Sequence, residues 1–350
     1  MEKEITIYDI AKEVKVSAAT VSRALNNHSS ISNKMKSLIQ SKATELGYRS
    51  NKFATNLRKQ KTHTIGVIVP RLNSFFMSTV LAGMENIANE AGYNLIISQS
   101  LESEKKEIIN AETMFKSRVD ALLVSIANDT EGVEHFQTFI DKGVPILFFD
   151  RIPQNLDCKN IVIDNKKAAY EVTKHLIEQG CTRIVHATGI LKRNVYFDRL
   201  EGYKWALSEH GIPYDENLVI ETDLSAESAT EVVNKILQTT PRPDGLFTAN
   251  DSCAVSVMSL LKKKGLNIPS DIAIAGFNDD PIATVIEPNL TTIHYSGKEM
   301  GEIAMQSIIN HLNGSLNINP ANTIILHSKL IVRDSSLKKN KKTIEVSPLK

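Results

Sequence analysis

The chain of 350 residues is 42% hydrophobic and 23% charged. That balance excludes a disordered or low-complexity protein and leaves length for two or three cored domains. The net charge of +1 hides an asymmetry: residues 1–61 hold 12 of the 41 Lys+Arg and 5 of the 40 Asp+Glu, a balance of +7 against −6 for the rest. A basic front on an acidic body is the electrostatic footprint of nucleic-acid binding. No run of 18 apolar residues exists, so no membrane span is expected. MEKEITIYDI has no apolar signal core, so a cytoplasmic protein is expected. Cys158, Cys181 and Cys253 are far apart and show no metal-ligand spacing. They read as small buried hydrophobes, with no metal or cofactor implied.

The first element spans Thr6 to Asn26. Thr6 is placed to cap a helix, with Asp9 three residues on in a capping-box arrangement. Ile7, Ile10 and Val14 share one face, and Val14-Lys15-Val16 form a turn. Ser17 caps a second helix, in which Val21, Ala24 and Leu25 face inward and Ala18, Ala19, Ser22 and Arg23 face outward. A short helix with small side chains, hydroxyls and one Arg on its free face fits a DNA major groove. Arg23 would make a forked bond to guanine, and the Ala18 and Ala19 methyls would touch thymines. Thr6, Ser17, Thr20, Asn26 and Ser32 are placed for phosphates. Ser32 opens a third helix with a stripe of Met35, Leu38, Ile39 and Leu46, and Gly47 stands at its C′ position. Next, Asn51, Ala54 and Leu57 recur every three residues in a piece too short to be a stable helix alone.

From His63 onward the pattern is strand–helix alternation. HTIGVIVP, YNLIISQS, VDALLVSI and PILFFD are apolar runs separated by helices at 75–91, 104–116 and 133–141. NIVID, RIVHATG, LVIETD, GLFTAN and IAIAGF repeat the rhythm, with helices near 166–179, 196–210, 226–238 and 252–264. LTTIHY, a helix at about 298–312 and TIILHSKLIV follow. Continuous apolar strands alternating with helices predict an α/β body of two tandem lobes, each a parallel sheet covered on both faces.

Ligands of open α/β sheets sit outside the carboxyl ends of the strands. That rule selects Ser74, Phe75 and Phe76 after the first strand, Ser125 after the third, and Asp150 and Arg151 after the fourth. In the second lobe it selects Asp164, Asp223, Asn250, Asp251, Asn278 and Asp279, with Arg199 at the start of a helix. Carboxylates, amides, arginines and rings suit a small polyhydroxylated ligand. Asp and Asn at such positions also cap the following helix, a competing role for Asp251 and Asp279 above all. Tyr295 is placed to edge the cleft, and His175, His186 and His294 read as structural.

T-I-x-D-I-A followed by V-S-x-x-T-V-S-R-x-L-N resembles the start of the LacI/GalR repressors. The body adds PRPDGLFTANDSCAV, KGLNIPSDIAIAGFNDDPIA, PNLTTI and LIVRDSS, so the resemblance covers about residues 5 to 335. It implies a helix-turn-helix headpiece at 1–48, a hinge helix at 49–62 and an effector-binding and dimerisation domain at 63–335 like periplasmic sugar-binding proteins. The chain would cross between lobes near 160, 291 and 322. One lobe would hold 63–160 and 291–322, the other 161–290 and 323–335, with a basic disordered tail at 336–350. Leu57 matches the hinge Leu that wedges into the central base step of bent operator DNA. Arg199, Asp150 and Asn250 match effector-binding positions. Lys15 stands where members usually carry Gly, Ser50 where they often carry Pro, and Asn278 where many carry Asp.

The implied function is a dimeric transcription regulator, expected to be a repressor. Its partners would be double-stranded operator DNA and a small effector, expected to be a carbohydrate, and it would need no membrane. A ligand that changes the angle between lobes would change the spacing of the two headpieces. A transport binding protein is the alternative, and the basic front argues against it. No G-x-S-x-G, G-x-G-x-x-G, P-loop or metal spacing suggests an enzyme.

Overall fold

A computed structural model describes residues 5–48, 61–153, 158–318 and 322–338. The chain separates into two compact units, 1–62 and 63–350.

The first unit contains helices α1 (Ile7–Val14), α2 (Ala18–Leu25) and α3 (Asn33–Glu45). Its core is Ile10, Ala11, Val21, Ala24, Ile39 and Ala43, with Met35 and Leu46 packed on its edge. Leu38, expected in the stripe of α3, is 53% exposed. Ala43, on the same face as Ile39, fills the inward position, and Leu38 lies on the flank of that face.

The second unit is built on two parallel sheets. The first has strands β1 (Thr64–Val69), β2 (Asn94–Gln99), β3 (Ala121–Val124), β4 (Ile146–Phe149), β5 (Lys159–Ile163) and, near the end of the chain, β11 (Thr323–Leu326). Its order is β11-β5-β4-β3-β1-β2. Helices α4 (Phe75–Glu90), α5 (Glu104–Lys116) and α6 (Gln137–Asp141) connect its strands. The helix expected over 133–141 is split, because Glu134–Phe136 form a 3₁₀ turn.

The second sheet has strands β6 (Ile184–Thr188), β7 (Val219–Glu221), β8 (Gly245–Thr248) and β9 (Ala273–Ala275) in the order β7-β6-β8-β9. Its helices are α7 (Asn165–Glu178), α8 (Asn194–Glu209), α9 (Ala229–Gln238), α10 (Asp251–Lys263) and the short α11 (Ile282–Val285). Strands β10 (Thr292–His294) and β12 (Lys329–Ile331) form an antiparallel pair, and α12 (Gly297–Leu312) packs on α4 of the first lobe.

The register moves the lobe boundaries. Asn160–Ile163 pair with Thr323–Leu326 in the first sheet, not the second. The crossovers therefore follow Ile163 and Leu326, three and four residues beyond the expected 160 and 322. Both strands are short apolar runs, and such a run carries no mark of which sheet it will join. Ser336, the first residue of the expected tail, and Ser335 before it are fully buried. Ser335 Oγ donates to the Ile274 carbonyl at 2.6 Å, and Ser336 Oγ pairs with His175 Nε2 at 2.7 Å. These bonds fasten the segment to the second lobe. The remainder of that tail, 339–350, lies outside the described residues.

Candidate functional site

The helix pair α1–α2 is fixed by its caps. The Asp9 carboxylate accepts from the Thr6 N–H at 2.8 Å and from Thr6 Oγ1 at 2.6 Å. Ser17 Oγ accepts from the Thr20 N–H at 3.1 Å and lies 2.9 Å from Thr20 Oγ1. Lys15 adopts the left-handed conformation, with φ 56° and ψ 43°. A turn shaped for Gly is thus kept by a residue that strains it. Thr6, Ser17, Ala19, Arg23, Asn26 and Ser32 are exposed, while Ala18, Thr20 and Ser22 are half-buried. Ala18 also packs against the core. Asn26 Nδ2 donates to the Ser22 carbonyl, and Ser32 Oγ accepts from the Met35 N–H. Asn51, Ala54 and Leu57 lie outside the described residues.

In the second unit a cleft of about 600 Å³ opens at the carboxyl ends of both sheets. That volume falls in the range of small-molecule sites. Ser74, Phe75, Phe76, Asp150, Arg151, Arg199, Asn250 and Asn278 line it, as do Asp223 and Tyr295. Arg199 is its buried centre, 4% exposed. Its Nε donates to Asn165 Oδ1 at 2.9 Å, its Nη1 donates to the Ala249 carbonyl at 2.6 Å, and its guanidinium lies 3.6 Å from the Phe277 ring centroid. Tyr295, packed against Phe76, donates to Asn278 Oδ1 at 3.0 Å.

Arg151 is held on three sides. Nη1 donates to Glu102 Oε2 at 2.7 Å and to Asn128 Oδ1 at 3.0 Å, and Nη2 to the Tyr196 hydroxyl at 3.2 Å. Burial opposes its charge, but Tyr196, Glu102 and Asp150 outweigh that and raise its pKa. Burial pushes the Asp150 carboxyl up against the pull of Arg151 and Arg199. Burial also pushes the Asp280 carboxyl up to about 6, and its Oδ1 has no hydrogen-bond partner among the described residues.

Four expected ligand residues do not line the cleft. Ser125 is buried and accepts from the Arg151 N–H. Asp164 caps α7 through the Lys167 N–H at 2.9 Å. Asp251, fully buried, accepts from Thr292 Oγ1 at 2.7 Å and the Asp280 N–H at 2.8 Å. Asp279 accepts from Arg333 Nη2 at 2.7 Å and pairs with His294 Nδ1 at 2.9 Å. The last two brace the cleft loop against the crossover strands. Asn250 does both jobs: it faces the cleft while its Oδ1 caps α10 through the Cys253 N–H.

Glu102, Tyr196 and Asp280 line the cleft without having been expected. Glu102 lies three residues beyond the end of β2, where the strand-end rule would have reached it. Tyr196 sits within the first turn of α8, where no sequence pattern marks it. His175 and His186 are buried and His294 braces Asp279, which agrees with structural roles.

A small helical unit ahead of a two-lobed α/β cleft defines a class of ligand-responsive DNA-binding proteins. Residues 6–51 match the family of bacterial regulatory proteins of the lacI type, and residues 173–336 match a periplasmic binding protein-like domain. The chain is 31% identical over 310 residues to catabolite control protein A of Priestia megaterium, covering 88% of this chain and 93% of that one. It is 30% identical over 333 residues to the ribose operon repressor of Haemophilus influenzae, covering 94% and 98%. Its fold matches that of a lac repressor dimer bound to operator and the anti-inducer ONPF. There the TM-score is 0.85 and the identity 24%, with 96% of this chain and all of that one covered. The chain belongs to the lacI family of bacterial regulatory proteins. It is a sequence-specific DNA-binding transcription regulator.

Proposed function

We propose that the protein represses transcription as a homodimer on a roughly palindromic operator, and that a carbohydrate in the cleft sets its operator affinity. The observation that carries this is buried Arg199, held at the carboxyl ends of both sheets amid Asp150, Asn250 and Asn278. Forked donors, amides and carboxylates around rings match adjacent hydroxyls on an apolar sugar face. Arg23 and Ala19 on the free face of α2 are the base readers, with Thr6, Ser17, Asn26 and Ser32 on phosphates. Relatives named for catabolite control and for a ribose operon support the sugar class.

A thermal-shift screen with neutral saccharides, sugar phosphates and nucleosides tests the ligand. A ligand of the folded state raises the melting temperature. Hits are then added to operator complexes, where a change in affinity upholds the reading. Hits that bind but leave operator affinity unchanged would remove the regulatory role of the cleft.

A further inference from the structure

The cleft contains a charge arrangement that the match to family positions does not require. Three arginines line it, with no lysine, against the five carboxylates Glu102, Asp150, Asp223, Glu227 and Asp280. Each arginine already has at least one protein partner. Glu102 holds two of them: Oε2 accepts from Arg151 at 2.7 Å, and Oε1 from Arg71 Nε at 3.4 Å. The same carboxylate accepts from the Asn128 N–H at 3.2 Å, which fixes it in place. The third arginine, Arg199, is bonded to Asn165 and the Ala249 carbonyl. Two of the helix starts at the cleft are also occupied. Ser74 caps α4 and Asn250 caps α10 through their own side chains.

An anionic ligand needs free cations or free N–H groups. We propose that Glu102 is a specificity-determining residue that engages both Arg71 and Arg151, so that the cleft takes an unphosphorylated polyhydroxylated ligand and rejects its phosphorylated form. The inference rests on the cleft being the effector site. A phosphate group carries about −1.5 to −2 at neutral pH. Within this lining it faces five carboxylates against three arginines. A neutral sugar meets the same carboxylates as hydrogen-bond acceptors.

The test compares full-length protein with its Glu102→Gln variant, using inorganic phosphate and glucose 6-phosphate as probes against chloride of equal ionic strength. Gln keeps an acceptor for the Asn128 N–H but frees the two guanidinium charges. The wild type is expected to melt identically in phosphate and chloride. The variant is expected to bind phosphate at least about tenfold more tightly. Equal phosphate affinity in the two proteins overturns the proposal. Should the variant lose its cooperative melt, the wild type decides with Arg71→Gln. A phosphate-specific shift in the wild type that Arg71→Gln abolishes overturns the proposal, because that variant separates the cleft from the basic headpiece. Absence of any such shift upholds it. A panel of neutral saccharides run alongside reports on the effector reading separately. If no saccharide of either kind stabilises the protein, that reading fails, whatever the phosphate result.

Discussion

Arg23 is the one long cation on the exposed face of α2, whose other outward residues are small. A forked arginine contact to guanine discriminates by about 1–3 kcal/mol. Arg23→Ala is therefore expected to reduce the preference for operator over random duplex by roughly 5- to 150-fold. A competition binding assay checks this, and an unchanged ratio would remove Arg23 as a reader. Asp251 and Asp280 make a different case. Burial pushes their carboxyls up, to about 7 and about 6. The folded protein therefore holds these protons more tightly than the unfolded chain, whose carboxylates titrate near 3.9. Their stabilising contribution is complete below about pH 4 and is lost as pH rises through 6 to 7. Thermal melts across that window should decline less steeply for Asp251→Asn than for the wild type. Parallel curves would contradict the assignment.

Turns and helix contacts obey similar local rules. Left-handed Lys15 costs about 1 kcal/mol relative to Gly, offset in part by the greater freedom of Gly in the unfolded chain. Lys15→Gly is expected to stabilise the headpiece by about 0.5 kcal/mol, read as a shift in denaturant midpoint. A lower midpoint would show that the lysine has a compensating role. The α4–α12 contact depends on absent side chains. A Cβ at Gly301 would collide with the Val80 carbonyl oxygen, and one at Gly83 with that of Lys298. Gly301→Ala should force the helices apart and destabilise the second unit by about 1–3 kcal/mol in chemical denaturation. A midpoint within error of the wild type would show that the helices yield freely.

How far the sequence revealed these elements varies with their physics. Capped helices were legible because Thr6, Ser17 and Ser32 sit next to the periodic faces they serve. The alternating body was legible from apolar run length. Sheet membership of Lys159–Ile163 and Thr323–Leu326 was not, because strand pairing is decided by neighbours distant in sequence. Within the cleft, strand ends pointed to Asp150, Arg151, Asn250 and Asn278. They could not separate cleft-facing carboxylates from Asp251 and Asp279, whose partners Thr292, His294 and Arg333 come from crossovers 15 to 54 residues away.

The protein as a whole joins a basic reader to an acidic sensor, and linkage requires that each site alter the affinity of the other by the same factor. The most direct measurement selects duplexes from a randomised pool with full-length protein, then titrates the selected site with and without a saccharide that stabilises the cleft. The expected result is a pseudo-palindromic site whose Kd changes about 5- to 150-fold with ligand. Equal affinity for every duplex, or a selected site indifferent to every cleft ligand, would contradict it.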